Sequence, residues 1–146
     1  MTSMVLLARA VETFPHRLPT LQSGITGGGL GAIVVTFLVA SVFYAVTLHL
    51  AATYFIGDVP SQKAAYVGPV PAVVSILLGA WGLEQVGFVS PGVGIVLVVA
   101  FTLIADGMAI ARVYDLDTRP TVVLTLLHFA FAVILGVALN NLLGLV

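Results

Sequence analysis

Asp106 stands inside a run of apolar residues long enough to cross a bilayer. An ionisable side chain near the centre of such a run costs roughly 2.5–3.5 kcal/mol on insertion scales, so its presence suggests a function. A carboxyl group there can accept a proton, hold a cation, or hydrogen-bond a neighbouring helix in its protonated form. It has no basic residue at i+3 or i+4, so its own helix does not neutralise it. His128 lies in a second apolar run, where a neutral imidazole can cross-link helices or relay a proton. His49, Tyr44 and Thr47 in an earlier run complete the candidate polar intramembrane site, although helical spacing puts His49 on a different face from Tyr44 and Thr47. Asp106 falls about five residues before the expected end of its helix, roughly 7.5 Å at 1.5 Å per residue. A headgroup position or a purely structural hydrogen bond is therefore the simpler reading of this carboxyl. A satisfied core histidine is likewise the simpler reading of His128.

The elements that must position these groups are read from hydropathy and punctuation. Pro15 and Pro19 end a first segment, about Met4 to Phe14, whose apolar residues share one face as in an interfacial helix; a mobile tail is the equal alternative. Gly24, Gly27, Gly28 and Gly29 lead into the long run 30–56. A polar turn precedes a second run, 64–83, in which Gly68, Pro69 and Pro71 predict a kink or a late helical start. Further runs cover 92–111 and 121–143, joined by a polar connection from Tyr114 to Pro120. The expected fold class is an all-α membrane protein. Its architecture is a four-transmembrane-helix antiparallel bundle at 30–146, preceded by an amphipathic or flexible segment at 1–29. Continuous apolar runs rule out the alternation that a β-barrel needs.

Composition supports this class. Of 146 residues, 60% are hydrophobic and 8% charged, against about one quarter charged in ordinary soluble domains. With 5 basic and 6 acidic side chains the net charge is −1, which provides no field or basic stripe for nucleic acid. The chain has no cysteine, so disulfides and thiolate chemistry are excluded. Neither metal-ligand spacing nor an HExxH pair, nucleophile elbow or phosphate loop occurs. No cofactor, catalytic residue or metal site is assigned, and an enzyme is the least favoured class. Lys63, Arg112 and Arg119 against Arg9 and Arg17 tilt the orientation toward cytoplasmic polar turns, with both termini outside.

Helices associate in lipid through small residues at helical spacing. Gly68, Ala72, Ser75, Gly79 and Gly82 form one such stripe, and Ala132 and Gly136 belong to another that contains His128. Bundle packing is the simpler reading of these stripes; lining of a polar path is the other. Tyr54, Asp58 and Pro60 before one helix echo Tyr114, Asp117 and Pro120 before another, which suggests related hairpins.

The stretch HLAATYFIGDVPSQKAAYVGPVPA, from His49 to Ala72, and YDLDTRPTVVLTLLHFA, from Tyr114 to Ala130, resemble a group of small haloarchaeal membrane proteins of uncharacterised function. The resemblance implies a four-helix protein of an archaeal cell membrane and supplies no site residues. The chain departs from soluble halophile proteins in its low acidity, which a membrane-buried chain with little exposed surface can escape.

Two functions compete. One is a structural or accessory subunit, packing through its small-residue seams against itself or within a larger membrane complex. The other is a small oligomeric transporter or channel protomer using Asp106 and His128. Convergence of Asp106, His49 and His128 on one cavity would favour the second. Expected partners are the lipid bilayer and further copies or subunits.

Overall fold

The computed structural model describes residues 29–81 and 91–144, and all regular structure among them is helical. The helices are α1 (Leu30–Phe55), α2 (Ser61–Val67), α3 (Pro69–Trp81), α4 (Pro91–Tyr114) and α5 (Thr118–Leu143). Three of these segments, Leu30–Phe55, Gly92–Tyr114 and Thr118–Leu143, are long and apolar enough to cross a membrane. The N-terminal amphipathic segment expected at 1–29 lies almost wholly outside the described residues, as do Gly82 and Glu84.

The expected span 64–83 starts earlier than expected and shows the interruption that its prolines predict. Helix begins earlier, at Ser61, and it divides at Gly68 into pieces of 7 and 13 residues. The cause is the proline pair: without an N–H, Pro69 and Pro71 cannot bond the carbonyls of Ala65 and Val67 one turn back. Gly68 nevertheless keeps helical dihedrals, φ −48° and ψ −40°, so α2 runs into α3 with little change of local conformation. The expected connection from Tyr114 to Pro120 is also shorter. Helix α4 continues to Tyr114 with Arg112 in its last turn, a cation that suits the negative end of the helix dipole. Helix α5 starts at Thr118 after an extended Asp117. Pro120 is tolerated in that first turn because amide donors there lack intrahelical partners anyway. The turn between them bends through Asp115 at φ 56°, a left-handed conformation that Asp adopts more readily than most residues.

Helix α4 is the hub of the packing, in contact with α2, α3 and α5. Leu48, Ala51, Ala52, Ala64, Val67, Ile110, Tyr114 and Leu124 form the buried apolar cluster. It lies toward the end of the helices that carries the 56–60 and 115–117 turns, where Lys63 Nζ sits 5.4 Å from the centre of the Tyr114 ring. The outward surface is apolar: Val42, Val46, Phe101, Ile104, Met108, Val122, Leu126 and Ile134 are all exposed. Thr47, Asp106, Thr125 and His128 are buried. Polar groups inside and apolar side chains outside are a distribution consistent with a lipid surrounding.

Within the described residues the small-residue stripe packs closely at Gly68 and Ala72. A Cβ at Gly68 would lie 2.5 Å from the Ser41 carbonyl oxygen and 2.9 Å from Ala45 Cβ, so α1 and the α2–α3 junction meet through backbone. Ala72 is fully buried. Gly136 makes an ordinary contact, with a Cβ position 3.8 Å from Phe43 Cζ. Gly79 is exposed, and among the described residues a Cβ there would meet nothing within 4 Å. Gly68→Ala is therefore expected to destabilise the detergent-solubilised protein by about 1–3 kcal/mol, the usual range for overpacking. Gly79→Ala should leave stability unchanged or raise it slightly, since it removes unfolded-chain freedom without a clash. Unfolding followed by circular dichroism in mixed micelles measures both.

Candidate functional site

Three helices supply the polar site. Asp106 projects from α4, His128 from α5, and Thr47 with the Tyr44 carbonyl from α1. His128 Nδ1 lies 2.7 Å from Asp106 Oδ2, with both side chains almost completely buried. On the other side of the ring, Nε2 lies 2.9 Å from Thr47 Oγ1 and 3.1 Å from the Tyr44 carbonyl oxygen. The Tyr44 ring stands edge-on to the imidazole, with centroids 6.0 Å apart.

Helix packing explains how residues 22 positions apart meet at hydrogen-bond distance. Gly107, next to Asp106, faces Thr125 closely enough that a Cβ would lie 3.3 Å from Thr125 Oγ1. Its missing side chain lets α4 and α5 approach one residue from the pair. Thr125 in turn donates its hydroxyl to the Thr121 carbonyl at 2.8 Å, so it meets its polar need within its own helix.

The arrangement accommodates two protonation states of the imidazole. With Asp106 ionised, Nδ1–H donates to its Oδ2 in both. With Nε2 bare, the Thr47 hydroxyl donates to it; with Nε2 protonated, the ring donates to the Tyr44 carbonyl, which can only accept. The Thr47 hydroxyl then turns to its own helix, where the Phe43 and Tyr44 carbonyls lie at 3.1 and 3.0 Å. A proton can thus arrive or leave at Nε2 without stranding a donor. In a medium of low dielectric, where an unpaired polar group is costly, such provision is significant.

Beside the pair is a cleft of about 240 Å³, lined by Asp106 and His128 together with Tyr44, Ser75, Thr102 and mainly apolar side chains. Two oxygens of α4 residues lining it, Asp106 Oδ1 and Thr102 Oγ1, are buried without a hydrogen-bond partner among the described residues. Ser75 donates its hydroxyl to the Ala72 carbonyl at 3.1 Å, which leaves its oxygen able to accept.

The structure brings together Asp106, His128, Tyr44 and Thr47. His49 does not join them: it does not line the cleft, and its Nδ1 is buried without a partner elsewhere on α1. The helical spacing that separates it from Tyr44 and Thr47 is the reason. Asp106 is buried among the helices, 3% exposed, and α4 continues eight residues past it, to Tyr114, about 12 Å at the helical rise. Ser75 and Ala132, read from sequence as packing residues, also line the cleft. Thr102 and Phe43 were missed. Thr102 had a legible signal, since it is the polar residue one turn before Asp106; Phe43 had none. Among the described residues, no group of three or more His, Asp or Glu side chains could hold a metal ion.

No curated protein and no solved structure matches the chain. A family model does, over residues 27–146, which takes in every helix and every site residue described above. By that match the chain belongs to DUF7473, a family of unknown function.

Proposed function

We propose that this chain is a multi-pass membrane protein that acts as the protomer of a small proton-handling transporter or channel. In this reading it is a four-helix antiparallel bundle in which α2 and α3 together make the second crossing. Their combined stretch of 21 residues from Ser61 to Trp81 would reach roughly 30 Å, about the thickness of the hydrocarbon core. Short connections at 56–60 and 115–117 favour antiparallel neighbours. Oligomerisation belongs to the proposal, because one thin bundle leaves little room for a conduit.

The observation that carries the reading is the buried hydrogen bond from His128 to Asp106, backed by a carbonyl and a hydroxyl that serve the imidazole in either protonation state. A cross-link needs one fixed donor and one fixed acceptor; a proton site needs both states provided for. The accessory-subunit reading draws its support from the backbone seam at Gly68, and it would make the same pair a structural tie.

Vesicles reconstituted with the full chain and loaded with a pH-sensitive dye distinguish these readings. Wild type should dissipate an imposed pH gradient faster than protein-free vesicles, and Asp106→Asn and His128→Ala should each lower that rate at least tenfold. Wild-type vesicles that hold the gradient as well as protein-free ones would sink the transport reading and leave the accessory one.

A further inference from the structure

We propose that the cleft beside the His128–Asp106 pair binds a small organic ammonium ion, a protonated primary amine with an apolar or aryl tail. The inference deepens the transport reading and rests on it for its biological sense, but its chemistry can be tested by itself. Asp106 Oδ2 is taken up by His128, while Oδ1 is buried with no partner. A buried carboxylate oxygen left unpaired is costly, and a cation that donates to it offsets the cost. One turn earlier on α4, Thr102 Oγ1 is likewise buried and unpartnered. Across the cleft on α3, the Ser75 oxygen can still accept because its hydroxyl proton is used by the Ala72 carbonyl. Three acceptors match the three N–H donors of a primary ammonium.

The other walls specify the rest of the ligand. Phe43, Tyr44 and Phe129 line the cleft among aliphatic side chains, and aromatic faces attract ammonium groups and pack against apolar tails. A bare metal cation is a poorer fit, since hard cations such as calcium gather about six to eight oxygens. The volume of about 240 Å³ falls below the roughly 300–1,000 Å³ of pockets that take drug-sized ligands, so the amine is small.

Isothermal titration of the full chain in lipid nanodiscs tests this with phenethylammonium as the probe and phenethyl alcohol as its neutral counterpart. Wild type should bind the ammonium saturably and at least tenfold more tightly than the alcohol. Asp106→Asn should weaken ammonium binding at least tenfold, and Thr102→Val, which keeps shape and removes the acceptor, several-fold. Absence of saturable ammonium binding by wild type overturns the proposal. So does equal binding of the alcohol, which would mark a plain apolar cleft, or full affinity in a folded Asp106→Asn or Thr102→Val protein. Proton flux is read separately in vesicles: flux without ammonium binding overturns this proposal and spares the transport reading. Ammonium binding without flux supports the site and removes the transport reading.

Discussion

His128→Ala is expected to destabilise the protein by about 3–5 kcal/mol, the range for leaving a buried carboxylate without its partner. Asp106→Ala should cost less, about 1–3 kcal/mol, the range for one unsatisfied buried group. The asymmetry follows from what each change leaves behind. Without His128, Asp106 has both carboxylate oxygens unpartnered, because Oδ1 already has none. Without Asp106, the imidazole can move its proton to Nε2 and donate to the Tyr44 carbonyl 3.1 Å away, so only a bare ring nitrogen is stranded. The Thr47 hydroxyl has two carbonyls on its own helix in either case. In the double variant Asp106→Ala/His128→Ala neither partner is abandoned, so its loss should fall short of the sum of the single losses by about 0.5–3 kcal/mol. Unfolding in mixed micelles gives all three values. Strictly additive losses, or a greater loss for Asp106→Ala, would contradict the bond as described.

Much of this site could be read residue by residue, and its assembly could not. A carboxyl and an imidazole in apolar runs are visible in any sequence, because lipid makes each an exception. That they share a bond depends on the rotation of α4 and α5 about their axes. In that rotation Gly107 comes against Thr125, and glycine in an apolar run gives no sign of which helix it will meet. The Tyr44 carbonyl was invisible for a different reason. Every residue carries one, and only the Thr47 hydroxyl at i+3, bonding back to that carbonyl, hints that this turn is polar. His49 shows the opposite case, conspicuous by residue type and excluded by the helical period. For the fold, long apolar runs located α1, α4 and α5 closely, since hydropathy and helix length report the same property. The helix ends were less legible, because whether Pro120 lies in a connection or a first turn depends on where the chain leaves the extended conformation of Asp117. The break at Gly68 was legible from its prolines, whereas the close approach to Ser41 that Gly68 allows belongs to tertiary packing.

A cationic side chain on the outward face of α4 should abolish stable insertion. Ile104 is 58% exposed and lies near the middle of the segment Gly92–Tyr114, and the side chains around it on that face, Phe101 and Met108, are also exposed hydrocarbons. In lipid, Ile104→Arg there costs roughly 2.5–3.5 kcal/mol relative to an apolar side chain on insertion scales. That is a fall of about 60-fold to 300-fold in the insertion equilibrium constant at about 1.4 kcal/mol per factor of ten. In water the same substitution would cost next to nothing, because exposed positions away from special features change stability by about 0.5 kcal/mol or less. The two solvents therefore predict results that cannot be mistaken for one another. Asp58→Arg provides the control: Asp58 is exposed in the turn after α1, where a charge already stands and the sign matters little to insertion. Membrane fractions washed with alkaline carbonate should retain wild type and Asp58→Arg and lose Ile104→Arg, either to the soluble fraction or to degradation. Retention of Ile104→Arg at the wild-type level would mean that this face of α4 does not meet hydrocarbon. The reason for treating the buried Asp106 and His128 as exceptional would then be lost.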